Sequence, residues 1–129
     1  MGVYRLEVDY NIWPANRGYR MPAEWEEHSA TWLSWPHSRD TWSGALPAVE
    51  SVMVSTVEAL SESERIRINV LNESHERHVA GLLCGRVESR AIIFHQFPTN
   101  DAWCRDHGAI FLTGDGKDSP LIALDFEYN

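Results

Sequence analysis

Cysteine is scarce in this chain: Cys84 and Cys104 are the only two in 129 residues, too few for a disulfide framework. Their separation gives no reason to pair them, so two reduced thiols are expected. No apolar run approaches the roughly 20 residues that a bilayer-spanning helix needs, which argues against a membrane protein. Arg5, Glu7, Asp9, Arg17 and Arg20 interrupt the start of the chain, so it does not read as a secretory signal, and a cytoplasmic location is expected. Basic residues are in the minority, 11 against 19 acids, for a net charge of -8. That balance argues against a nucleic-acid partner, which is held by neutralising its phosphates, and tilts the expectation toward cationic ligands. Repeats and low-complexity segments are also absent. What remains, 43% apolar and 23% charged residues, is the material of one globular domain or part of one.

Residues 1–21 mix charges, Asn11, Pro14, Gly18 and aromatics without periodicity and read as an extended amino-terminal arm. Ala30 to Trp35 is β-prone and is closed by Pro36, which predicts a first strand. A polar loop with Arg39, Asp40 and Trp42 leads to Pro47, a residue suited to the first turn of a helix. Val49, Val52, Met53, Thr56, Val57 and Leu60 then define a buried stripe that leaves Glu50, Glu58 and Glu62 largely outside it. Arg65 to Leu71 alternates, with Ile66, Ile68 and Val70 on one face. Asn72 is a candidate cap for a second helix facing inward through Val79, Leu82 and Leu83, with Gly85 as a left-handed stop. Ala91 to Phe97 reads as a buried strand ended by Pro98, and two further strands, 109–113 and 121–126, flank a turn-rich segment. The order is βαβαβ followed by a hairpin, an α/β (α+β) class. The last strand has no helix to cover it, so the chain reads as a fragment with sheet edges left to associate as a homo-oligomer or to aggregate.

Chemistry concentrates between Pro98 and Gly108, where Asp101, Trp103, Cys104, Arg105, Asp106 and His107 lie between two apolar runs. Asp106 either caps this loop or joins an ion pair, or it accepts two parallel hydrogen bonds from a guanidinium with Trp103 packed beside it. In an extended backbone Arg105 and Asp106 point to opposite sides, and Cys104 turns inward as a small apolar residue. Positive neighbours could activate Cys104 as a nucleophile, but packing is the reading we adopt for it and for Cys84. His75 and His78 stand three apart, not four as in the zinc-protease helix, and read as a solvated helix face. His95, Cys104 and His107 lack tight ligand spacing, so no metal is expected. Trp25, Trp32, Trp35 and Trp42 could line a groove, although clustered Trp more often fills a core or a subunit contact.

The segments Met21 to Glu26, His28 to Pro36, Arg39 to Trp42 and Pro98-Thr-Asn-Asp-Ala-Trp-Cys-Arg-Asp-His-Gly108 occur in one order, and together they resemble agmatine deiminases and the related bacterial, Porphyromonas-type peptidyl-arginine deiminases. The resemblance implies the amino-terminal part of a pentein-type α/β propeller built from ββαβ units, with residues 22–129 as its first one to two modules. It implies a hydrolase of linear amidines in polyamine (putrescine) biosynthesis that uses no metal or organic cofactor. A Cys thiolate attacks the guanidinium carbon, ammonia leaves, and water hydrolyses the amidino intermediate, turning agmatine into N-carbamoylputrescine. Carried onto this chain, Asp106 is the catalytic, guanidinium-binding acid and Trp103 the substrate-channel Trp, while Arg105 ties the loop to the scaffold. Neither Cys84 nor Cys104 stands in the family's Gly-rich His-Cys context, and His107-Gly108-Ala109 departs from the usual Gly-Pro. The chain alone is therefore expected to be inactive. The alternatives are a non-catalytic guanidinium-binding or structural module, and peptidyl-arginine as substrate.

Overall fold

The computed structural model describes residues 13–114 and 120–125, and at His107 the backbone only. The expected turn at 115–119, the arm before residue 13 and the end of the last expected strand lie outside the described residues. The chain divides into two compact units, one formed by Glu27–His107 and the other by the residues up to Glu26 together with those from Gly108.

The larger unit contains the expected βαβαβ order: β2 (Thr31–Ser34), α1 (Leu46–Leu60), β3 (Ile66–Val70), α2 (Glu73–Leu83) and β4 (Ile92–Gln96). The three strands form one parallel sheet in the order β2-β3-β4, pairing Ser34 with Asn69 and Asn69 with His95. Helical crossovers are what parallel neighbours require. The alternation of β3 buries Ile66, Ile68 and Val70 against Val54 and Val57 of α1 and Val79 and Leu83 of α2, with Trp35 completing the cluster. Each such side chain contributes about 1.5–3 kcal/mol through loss of apolar surface from water. Asn72 caps α2 as expected, its Oδ1 accepting from His75 N at 3.0 Å. Gly85, with φ of 74°, takes the left-handed conformation that stops the chain's helical path.

The register of α1 differs from its apolar pattern. Val54 and Val57 form the buried stripe, Met53 and Leu60 pack partly against it, and Val52 is 65% exposed. Glu50 shares the inner face, because the indole N–H of the fully buried Trp35 needs an acceptor and finds Glu50 Oε1 at 3.0 Å. β4 is only half-buried, since among the described strands it has a single neighbour, β3, despite its apolar composition.

The smaller unit holds a three-stranded antiparallel sheet in the order β1-β5-β6, from Tyr19–Arg20, Ile110–Gly114 and Ile122–Leu124. The expected pairing of the last two strands is present. Pro14–Arg17 forms one turn of 3-10 helix ended by Gly18 at φ 74°, and Tyr19–Arg20 then pairs with β5. Arg20 makes a bidentate bond to Glu26, at 2.7 and 2.9 Å. That pairing, with the Ala23 N–H, holds the Glu26 carboxyl down at about 2.

Candidate functional site

The parallel sheet sends the segments after β2 and β4 out at the same end, the carboxyl end, where open α/β sheets form their crevices. Phe97 N extends the ladder by donating to Val70 O at 2.9 Å, and Pro98 ends it. The chain then turns at Asp101, whose Oδ1 accepts from Ala102 N at 2.7 Å. The Ala102 N–H lowers the Asp101 pKa first; burial opposes it, and the Trp103, Thr41 and Trp42 side chains lower it further.

The expectation of an extended backbone through residues 104–107 is corrected: Cys104–His107 is a short helix, α3. Cys104 N bonds Ala102 O at 2.8 Å and Asp106 N bonds Trp103 O at 3.1 Å. Asp106 N thus reaches back to Trp103, which stands immediately before α3, so the two residues are closer together than an extended backbone would hold them. Trp103 is 55% exposed. Asp106 is also exposed, and among the described residues its carboxylate joins no ion pair. Arg105 is exposed as well and has an interaction of its own.

Trp42, from the segment after β2, joins this group. Its ring stacks on Trp103 with centroids 6.2 Å apart and planes 24° apart. Its Nε1 is buried and lacks a partner in hydrogen-bonding geometry among the described residues, so its influence on Asp101 is electrostatic and not a formed hydrogen bond. The pairing of Trp42 with Trp103 was not read from the sequence. The signal was present: two parallel strands, each closed by proline, deliver Trp-containing segments to one end of the sheet.

Cys104 does turn inward, but as part of a helical turn and toward a polar partner: its Sγ lies 2.9 Å from Ser34 Oγ. Ser34 in turn accepts from Asn69 Nδ2 at 3.1 Å. Cys84 is exposed at the end of α2. His75 and His78 are not simply a solvated face. His75 Nδ1 accepts from Leu71 N at 3.2 Å, its ring meets that of His37 edge-on at 5.9 Å, and His78 Nε2 bonds Glu50 Oε1 at 2.7 Å. Burial lowers the His75 pKa, and His37 and His78 add to that while Glu50 opposes it. On the other face of the sheet His95 lies 4.6 Å from Trp32 and 3.2 Å from Arg67 Nη1, and its pKa is lowered by burial and by Arg67. Among the described residues no cluster of His, Cys, Asp and Glu could hold a metal ion. The four early tryptophans divide: Trp35 fills the core, Trp42 stacks on Trp103, and Trp32 and Trp25 are 42% and 89% exposed. A groove of about 780 Å³ is lined by Glu58, Arg65, Arg86 and Arg90 among others and includes neither Trp103 nor Asp106. No helix is long and apolar enough to cross a membrane among the described residues.

The model of the Porphyromonas-type peptidyl-arginine deiminase family matches residues 20–129. A Streptococcus mutans protein provisionally named agmatine deiminase is 35% identical over 120 residues, which are 92% of this chain and 31% of that protein. Agmatine deiminase from C. jejuni superposes with a TM-score of 0.71 at 27% identity, over 86% of this chain and 32% of that one. A Cys-to-Ser variant of the same enzyme, solved with substrate bound, superposes at 0.68 with 27% identity, over 84% and 30%. The chain thus spans about a third of the length of the relatives it matches. The mixed helices and open sheets have the α/β architecture of these pentein-type propellers. With the family model covering nearly all of the chain and the sequence motifs in order, the chain belongs to the agmatine deiminase and Porphyromonas-type peptidyl-arginine deiminase family.

Proposed function

We propose that this chain supplies the guanidinium-gripping part of a guanidino deiminase whose substrate is agmatine. The observation that carries the reading is an exposed Asp106 carboxylate, in no ion pair among the described residues, tied by its backbone N–H to the residue that bears the exposed Trp103 ring. A carboxylate offers two parallel acceptors to the planar fork of a guanidinium, and an aromatic face attracts the same cation. Trp42 backs the ring of Trp103 and limits its freedom. In this reading Asp106 is the catalytic acid that binds the guanidinium, and Trp103 is the substrate-channel residue. The deiminase takes agmatine to N-carbamoylputrescine and ammonia through a Cys-amidino intermediate, without metal or organic cofactor. Neither thiol of this chain is its nucleophile, since Cys104 faces Ser34 and Cys84 sits at the far end of α2. The chain by itself binds substrate and releases no ammonia.

Calorimetric titration of the purified chain with agmatine tests this. Binding is expected, and Asp106→Ala should weaken it by about 2 kcal/mol, roughly thirtyfold, the worth of a hydrogen bond to a charged group. Well-folded chain that binds no agmatine, or binds it equally with Asp106→Ala, would leave a structural module instead. An arginine-terminated peptide titrated in parallel separates the two substrates: tighter binding of the peptide would move the assignment to peptidyl-arginine.

A further inference from the structure

We infer that Ser34 is a positioning residue for the guanidinium grip: from within β2 it holds α3 against the parallel sheet through the Cys104 thiol, and so sets where Trp103 and Asp106 stand. The inference rests on the function proposed above for those two residues. Ser34 is 1% exposed, the one polar side chain that is fully buried among the described residues. Its Oγ accepts from Asn69 Nδ2 at 3.1 Å, beside it in the β2–β3 register, and lies 2.9 Å from Cys104 Sγ. With Asn69 as donor, the Ser34 hydroxyl keeps its own proton for Cys104 Sγ. A buried hydroxyl left without an acceptor would be unfavourable, so the chain of bonds runs Asn69 to Ser34 to Cys104.

Four further observations give this chain of bonds its role. α3 has only four residues, and a single turn does not persist in water without tertiary support. α3 packs on β2, the strand that carries Ser34. Asn69 Oδ1 is buried and has no partner among the described residues, an uncompensated polar group of the kind that core packing alone would select against. Cys104 is the first residue of the turn and Asp106 the third, so a shift of the thiol moves the carboxylate with it.

The test uses the full chain and two readouts. Alkylation of Cys104 by iodoacetamide, followed by mass spectrometry, reports the anchor, with the exposed Cys84 as internal control. Because a hydroxyl that donates to sulfur also favours the reactive thiolate, limiting rates at a pH that ionises both thiols are compared, and there Ser34→Ala should raise the Cys104 rate about fivefold relative to Cys84, the effect of losing one net hydrogen bond. It should raise the agmatine dissociation constant about fivefold as well. Cys104→Ala should give the same loss of affinity, Cys104→Ser should stay within about twofold of wild type because it keeps an acceptor, and the double variant should lose no more than either alanine variant. An unchanged Cys104 alkylation rate in Ser34→Ala overturns the inference whatever happens to binding. If alkylation rises while Asp106-dependent agmatine affinity stays constant, the positioning role is likewise overturned. If agmatine binding in the wild-type chain does not depend on Asp106, it is the proposed function that fails, and the thiol rate still decides the anchor.

Discussion

Removing the Glu50 carboxylate should destabilise the larger unit through an orphaned donor, and the structure allows the size of that effect to be argued. Glu50 Oε1 accepts from Trp35 Nε1 at 3.0 Å and bonds His78 Nε2 at 2.7 Å. Trp35 is fully buried, whereas the His78 side chain is 52% exposed and can turn to water. The loss therefore falls mainly on the indole N–H, and an unsatisfied buried donor costs about 1–3 kcal/mol. Glu50→Ala is expected to cost about 2 kcal/mol, which at a urea dependence of about 2 kcal/mol per molar shifts the unfolding midpoint by about 1 M. Glu50→Gln retains an acceptor at the same place and should cost less than about 1 kcal/mol. The decisive measurement is a double-mutant cycle with Trp35→Phe, which removes the donor and keeps most of the ring. In that background Glu50→Ala should lose at least about 1 kcal/mol of its effect. Equal costs in both backgrounds would refute the orphaned-donor argument and leave helix propensity or packing as the cause.

Two other outcomes follow from the larger unit. Because burial, with His37 and His78, holds the His75 pKa below its ordinary value, the unfolded chain binds the extra proton first. Stability should be greatest above about pH 6.5 and should fall as the pH drops through that value, levelling off below the folded-state pKa; urea midpoints between about pH 7.5 and pH 5 check this, and His75→Gln should flatten the profile. Val57→Ala should cost about 2 kcal/mol and Val52→Ala less than about 0.5 kcal/mol in urea unfolding, since Val57 is fully buried and Val52 is 65% exposed.

The contrast between Val57 and Val52 also marks how far the sequence can be read. Strand β3 was legible because a period of two over five residues leaves one face to bury, and Asn72 and Gly85 were legible because caps and left-handed stops demand particular side chains. The face of α1 was not. Apolar residues surround much of that helix, and its orientation is settled by Glu50, an acid that pattern reading assigns to solvent but that Trp35 draws inward. His75 and His78 were misplaced for a related reason: their partners, Leu71, His37 and Glu50, come from other elements, and spacing within α2 carries no trace of them. Trp103 and Asp106 are proposed from a motif, while Trp42, Asp101 and Ser34 gain their relation to that motif only from the packing of β2 beside β3.

The one change of local conformation, from an extended loop backbone to a helical turn at Cys104–His107, bears most directly on the proposed chemistry. In an extended chain, residues three apart stand about 10 Å from each other and point to opposite faces. Trp103 and Asp106 could not then serve one small planar cation. In the observed turn Asp106 N folds back onto Trp103 O at 3.1 Å, which brings the two residues closer than an extended chain allows, as the proposed grip on one guanidinium requires. A turn this short does not form on its own account, so the sheet beneath must impose it. Affinity for a guanidinium should therefore depend on side chains that never touch the ligand, with the buried Ser34 and its neighbours Asn69 and Cys104 foremost among them.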